Sequence, residues 1–132
     1  MDKKYEYYAC QEFEQDIEKI MGILQERGLE KAFKNIYGPP AGGLVLATYL
    51  HYRLGEIPII FDEKEIAADT LIVDDIADTG NTLLKYKQRG NFIITLFRHC
   101  ESIVVPDIWL REKKGKKGQE ENYVVFPWEK KE

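Results

Sequence analysis

Apolar residues recur at Phe13, Ile17, Ile20, Met21 and Leu24, at intervals of four, three, one and three. That spacing predicts one buried face of an amphipathic helix, ringed by Glu12, Glu14, Asp16, Glu18 and Lys19 and stopped near Gly28. Residues 34–37 read as a short strand and the Gly-Pro-Pro-Ala-Gly-Gly run at 38–43 as a loop. A helix is expected over 44–54, ending near Gly55. The compact apolar runs 57–61, 70–73 and 92–97 predict strands buried on both faces. Asp75 begins a polar loop, and 82–89 reads as a helix closed by Gly90.

Strand, loop, helix and strand alternate at short intervals, which predicts an α/β fold with a mostly parallel central sheet flanked by helices. In such sheets ligands sit outside the carboxyl ends of the strands, so 38–43 and 74–82 should share one rim. With no repeat or linker, the 132 residues read as one domain. The end of the chain differs: a charged stretch at 111–122 lies between apolar 103–110 and 123–128. It predicts two extended arms joined by a solvated loop and folded over the sheet.

Composition narrows the setting. Apolar residues make up 44% and charged residues 32%, with no apolar run near the roughly 20 residues a membrane span needs. The start, Met1-Asp2-Lys3-Lys4-Tyr5, lacks an apolar signal core. Cys10 and Cys100 lie far apart without metal-ligand spacing, as reduced thiols in a cytoplasmic protein would. A net charge of −4 argues against a nucleic-acid surface.

The chemistry concentrates in Leu71-Ile72-Val73-Asp74-Asp75-Ile76-Ala77-Asp78-Thr79-Gly80-Asn81-Thr82. An apolar strand delivers two acids, then a short loop that opens a helix. Backbone amides and the Thr79 and Thr82 hydroxyls suit a phosphate, and Gly80 permits close approach. Asp74 and Asp75 suit ribose hydroxyls, directly or through Mg²⁺. An isolated Asp-Asp or Thr-Gly would be read as a helix-capping turn. The whole string after a buried strand points to a ligand site.

This string resembles the phosphoribosyl pyrophosphate signature of the type I phosphoribosyltransferases. Residues 38–54 and 57–60 are similar to that family's pyrophosphate loop, helix and next strand. Val104-Val105-Pro106-Asp107-Ile108-Trp109 and Tyr123-Val124-Val125-Phe126-Pro127-Trp128-Glu129 resemble the base-binding hood of the xanthine–guanine and hypoxanthine enzymes, here about 99–132. The resemblance implies Mg²⁺-dependent transfer of a phosphoribosyl group from phosphoribosyl pyrophosphate to a purine or related base, in purine salvage, by a cytoplasmic homodimer with no nucleic-acid or membrane partner. It implies Asp74 and Asp75 on the ribose hydroxyls and the metal, and Asp78 as general base near the base nitrogen. Ala77, Thr79, Gly80, Asn81 and Thr82 would hold the 5-phosphate, and Ala41, Gly42 and Gly43 the pyrophosphate. Tyr123 would stack on the base, with Val124 backbone at its edge.

The chain departs from the family in three places. Ala41 stands where Arg or Lys is usual. Eight residues, 62–69, replace a long mobile lid. The lysine that reads a purine 6-oxo group would fall near Arg98 and His99, and His99 reads as an ordinary strand-end histidine. Trp128 reads as core packing. Lys113, Lys114, Lys116 and Lys117 read as a solvated loop, or else as the source of the charge missing at position 41. A binding protein for phosphoribosyl pyrophosphate or a nucleotide, with little turnover, is the alternative function. A hydrolase exploiting water access is a third.

Overall fold

The computed structural model describes residues 4–115 and 122–129. In chain order the elements are β1 (Lys4–Tyr7), α1 (Cys10–Glu26), β2 (Asn35–Tyr37), α2 (Gly42–Arg53), a 3₁₀ turn (Glu63–Glu65), β3 (Thr70–Ala77), α3 (Leu84–Gln88), β4 (Ile93–His99), β5 (Arg111–Lys113) and β6 (Asn122–Val125). Four parallel strands form the central sheet in the order β2-β3-β4-β5, and β1 pairs with β6, also in parallel. Parallel pairing requires crossovers, and α2 and α3 serve as two of them. Among the described residues no helix is long and apolar enough to cross a membrane.

Helix α1 follows its predicted stripe: Phe13, Ile17, Ile20, Met21 and Leu24 are all buried. Gly28, at φ +68°, stops it in the left-handed region that glycine tolerates best. Against that stripe pack Leu46, Ala47 and Leu50 of α2, Leu71 and Val73 of β3, and Ile94 and Leu96 of β4. Each fully buried Leu or Ile stabilises the fold by about 1.5–3 kcal/mol. The other face is smaller: Ile72 and Ile93 meet Tyr37, Leu83, Tyr86 and Val104.

The structure corrects several sequence expectations. Residues 57–61 are not a strand: only Ile59 bridges to Ile36, and Phe61 is 74% exposed. Pro58 has no N–H, and its carbonyl serves only to accept from Ile36 N–H. Strand β3 runs four residues past Val73, so Asp74 and Asp75 belong to the strand and not to the loop. Helix α3 is shorter than expected and begins at Leu84. Residues 103–110 form no strand, with a single bridge at Ile108, whereas β5 lies within the stretch expected to be solvated. Strand β1 was not foreseen. It stands ahead of the helix stripe and needs β6, more than a hundred residues away, as its partner.

Candidate functional site

Strand β3 delivers the acidic pair to the rim of the sheet. Asp74 Oδ1 accepts the Asp75 N–H at 2.9 Å. Burial, and next the charge of Asp75, push Asp74 well above the usual carboxylate range, to about 8. Burial raises Asp75 as well. These are carboxyls whose ionised forms lack a compensating charge.

Beyond them the chain turns through Gly80, at φ +87°. A β-carbon there would stand 2.7 Å from both Ser102 Oγ and the Val104 backbone nitrogen. The turn is therefore packed against 102–104, and Ile103 N–H donates to Thr79 O at 2.9 Å. Asp74, Asp75, Ala77, Asp78, Thr79, Gly80 and Thr82 line a cavity of about 230 Å³. Asn81 does not line it; the Asn81 N–H donates to Thr79 Oγ1 and the residue is exposed.

A second cavity of about 330 Å³ adjoins, sharing Asp75, Ile76 and Asp78 with the first. Ala41 and Gly42 also line it, together with Lys113 and with Tyr123, Val124, Phe126, Trp128 and Glu129 near the end of the chain. Gly42 faces the Asp75 carboxylate so closely that a β-carbon would collide with it. Gly43 is buried behind this wall, where its β-carbon would meet Pro39 Cδ at 2.8 Å and Val73 O at 2.9 Å. Its service is close packing of α2 on β3, not a place in the cavity lining. Val124 also lines this cavity and is 4% exposed.

Aromatic side chains shape the hood wall. Trp128 stacks on Phe126 at 5.0 Å and meets Phe13 edge-on at 5.3 Å, so it packs the core while lining the cavity. The Tyr123 hydroxyl donates to Glu129 Oε2 at 2.8 Å, and Phe126 N–H donates to Glu129 Oε1 at 3.2 Å.

Lys113 is the largest correction. Expected in a solvated loop, it is 7% exposed, and its Nζ donates to Asp78 Oδ2 at 2.7 Å inside the second cavity. Asp78 Oδ1 is buried without a hydrogen-bond partner among the described residues. The alternation Arg111-Glu112-Lys113 directly after apolar Leu110 was the available signal, and the surrounding charge run hid it. Lys116 and Lys117 lie outside the described residues.

Arg98 and His99 do not reach either cavity. The Arg98 guanidinium lies over the Trp109 ring at 5.7 Å. His99 is fully buried; its Nδ1 accepts the Glu101 N–H at 3.0 Å, so Nε2 carries the proton it donates to Gly115 O at 2.6 Å. The histidine is structural, as expected.

The connector 62–69 is held down beside α3. Glu63 accepts from Tyr86 OH at 2.7 Å, from Tyr37 OH at 3.4 Å and from Lys85 Nζ at 3.0 Å. Asn91 Nδ2 donates to Ala67 O at 2.8 Å. A larger groove of about 600 Å³ lies elsewhere, between α1 and α2; it touches neither loop and its walls carry the surface ion pair Arg53–Glu18.

No protein-family model matches the chain, and no curated protein matches it in sequence. Solved structures do. A purine phosphoribosyltransferase from Pyrococcus horikoshii superposes with a TM-score of 0.75 at 24% identity, covering 97% of this chain and 96% of that one. A xanthine-guanine-hypoxanthine phosphoribosyltransferase from Helicobacter pylori gives 0.72 at 19% identity, covering 94% and 92%. The fold is that of the type I phosphoribosyltransferases. A hypothetical protein from Neisseria gonorrhoeae with bound ppGpp shares it at a TM-score of 0.66 and 14% identity, covering 98% and 92%. Within this fold, the chain sets an acidic pair, the threonine and glycine loop and an aromatic-lined cavity side by side.

Proposed function

We propose that the chain transfers a phosphoribosyl group from phosphoribosyl pyrophosphate to a nucleobase carrying a carbonyl next to a ring nitrogen, as in a 6-oxopurine. One observation carries the reading: the acid-and-threonine cavity adjoins the aromatic one, and Asp75, Ile76 and Asp78 line both. The backbone amides lining the first cavity and the Thr79 and Thr82 hydroxyls hold the 5-phosphate, and the Asp74 and Asp75 carboxylates take the ribose hydroxyls. A flat base fits between Ile76 and the hood aromatics.

In the reaction the bond from the anomeric carbon to pyrophosphate breaks as the bond to the base nitrogen forms, through a sugar with oxocarbenium character. Asp78 accepts the proton released from the base. Its unpartnered Oδ1 is the acceptor suited to a base N–H, while the Lys113 ammonium offers a donor to the neighbouring carbonyl. An exocyclic amine in place of that carbonyl would set donor against donor.

Two adjacent half-buried acids, both pushed toward their protonated forms, are a donor set that a divalent cation would relieve. Mg²⁺ is commonly held by one or two carboxylates with the remaining positions taken by ligand oxygens and water, so Asp74 and Asp75 fit it. When bound, it supplies positive charge to the leaving pyrophosphate, which Ala41 cannot. The test is a panel of bases incubated with phosphoribosyl pyrophosphate and Mg²⁺, with pyrophosphate release measured. Release with oxopurines supports the reading, and no release with any base counts against it.

A second reading is a nucleotide-binding protein without turnover. The Neisseria gonorrhoeae protein of this fold with ppGpp bound, together with the uncharged Ala41, favours it. Saturable binding of phosphoribosyl pyrophosphate without pyrophosphate release would select it.

A further inference from the structure

Lys113 reaches Asp78 from β5, a three-residue strand that, among the described residues, lies at the edge of the central sheet with β4 as its one partner. So short an edge strand defines its own register weakly. In β structure residues two apart share a face, so Arg111 and Lys113 point inward together while Glu112 faces solvent. A slip of one residue would turn both outward and put Glu112 in their place.

What opposes that slip is a buried charge cluster beside Lys113. Asp16, on α1, is 0% exposed. Its Oδ2 accepts from Arg111 Nε at 2.6 Å and its Oδ1 from Arg111 Nη2 at 3.2 Å, a two-point fork. Tyr8 OH also donates to Asp16 Oδ2 at 2.6 Å, and the guanidinium lies over the Tyr8 ring at 5.2 Å. Arg111 Nη1 donates to Glu12 Oε2 at 3.1 Å. Burying such a pair contributes little net stability compared with apolar packing, whereas its geometry is strict.

We propose that Arg111, held by Asp16 and Tyr8, is a positioning residue for base selection: it fixes the register of β5 and so sets the Lys113 ammonium against Asp78. The inference rests on the base-reading role given above to Lys113 and Asp78. It assigns control of that role to a cluster that lines neither cavity.

The test compares binding of inosine 5′-monophosphate and adenosine 5′-monophosphate, which share the ribose phosphate and differ at the base edge, with ribose 5-phosphate as the anchor control. The wild-type protein is expected to prefer the oxo nucleotide by about tenfold or more, the worth of a charged hydrogen bond. Lys113→Met should abolish the preference. Replacing the cluster with apolar residues, Tyr8→Phe/Asp16→Leu/Arg111→Met, should reduce it to about threefold or less while ribose 5-phosphate affinity holds within about twofold, since an apolar replacement can keep the fold. Should that triple variant not fold, Arg111→Lys carries the test: it keeps the charge, loses the fork, and should lower the preference with the anchor unaffected. A folded triple variant, or Arg111→Lys, with the full wild-type preference overturns the inference, and Lys113→Met then shows whether the base-reading role survives it. A wild type with no preference overturns both.

Discussion

Replacing Asp74 by asparagine should make the ligand-free protein more stable at neutral and alkaline pH. Asp74 is held up at about 8 by burial and by Asp75, against ~3.9 for an aspartate in an unfolded chain. Between those values the folded chain binds more protons than the unfolded chain, so stability falls as pH rises through that window. Below about pH 4 both states hold the proton and the penalty is absent; above about pH 8 it is complete. At about 1.36 kcal/mol per unit the ceiling is about 5.6 kcal/mol, and solvent relaxation around a part-buried pair lowers the expected effect to about 2–3 kcal/mol. Asparagine preserves the shape and can still accept the Asp75 N–H, so the native contact survives. Urea unfolding of both proteins at pH 4.5, 6, 7 and 8 measures the difference. The variant should gain on the wild type with each step upward in pH. Curves that stay parallel, or a wild type that gains on the variant as pH rises, would refute the reasoning.

Asp78→Asn should leave ribose 5-phosphate binding intact and slow transfer by about 10²–10⁴-fold, read as kcat in a pyrophosphate-release assay. Gly80→Ala imposes a β-carbon at φ +87° against Ser102 and Val104, and should cost about 1–3 kcal/mol in urea unfolding together with weakened 5-phosphate binding. Tyr86→Phe removes the hydroxyl that anchors the connector through Glu63 and should cost about 1 kcal/mol; exchange protection of amides in 62–69 should fall with it.

The parts of the fold written in local periodicity were legible. The α1 stripe, the alternation of strand and helix, and the acid-rich loop after a buried strand each rest on residues close in sequence. What escaped depended on distant partners. Strand β5 has no apolar pattern of its own: it forms because Arg111 finds Asp16, 95 residues away, and Lys113 finds Asp78, 35 residues away. Strand β1 likewise has meaning only beside β6. Residues 57–61 had the right composition for a strand, and Pro58 and the exposed Phe61 confined them to a bridge. In the site, Asp74, Asp75, Thr79, Gly80 and Thr82 converge as the string suggested. Asn81 turns away and Gly43 lies behind the wall, because a spacing pattern does not specify which loop residues face inward. The cation in the cavity was misplaced for the same reason, since a run of lysines looks solvated until one of them meets a buried acid.

The central claim is that Asp74 and Asp75 stand at a phosphoribosyl site, and calorimetric titration with phosphoribosyl pyrophosphate and Mg²⁺ tests it most directly. The wild-type protein should bind saturably, and Asp74→Asn/Asp75→Asn, shown by circular dichroism to be folded, should bind at least about tenfold more weakly. A folded double variant that binds as the wild type does, or a wild type that does not bind, would contradict the account.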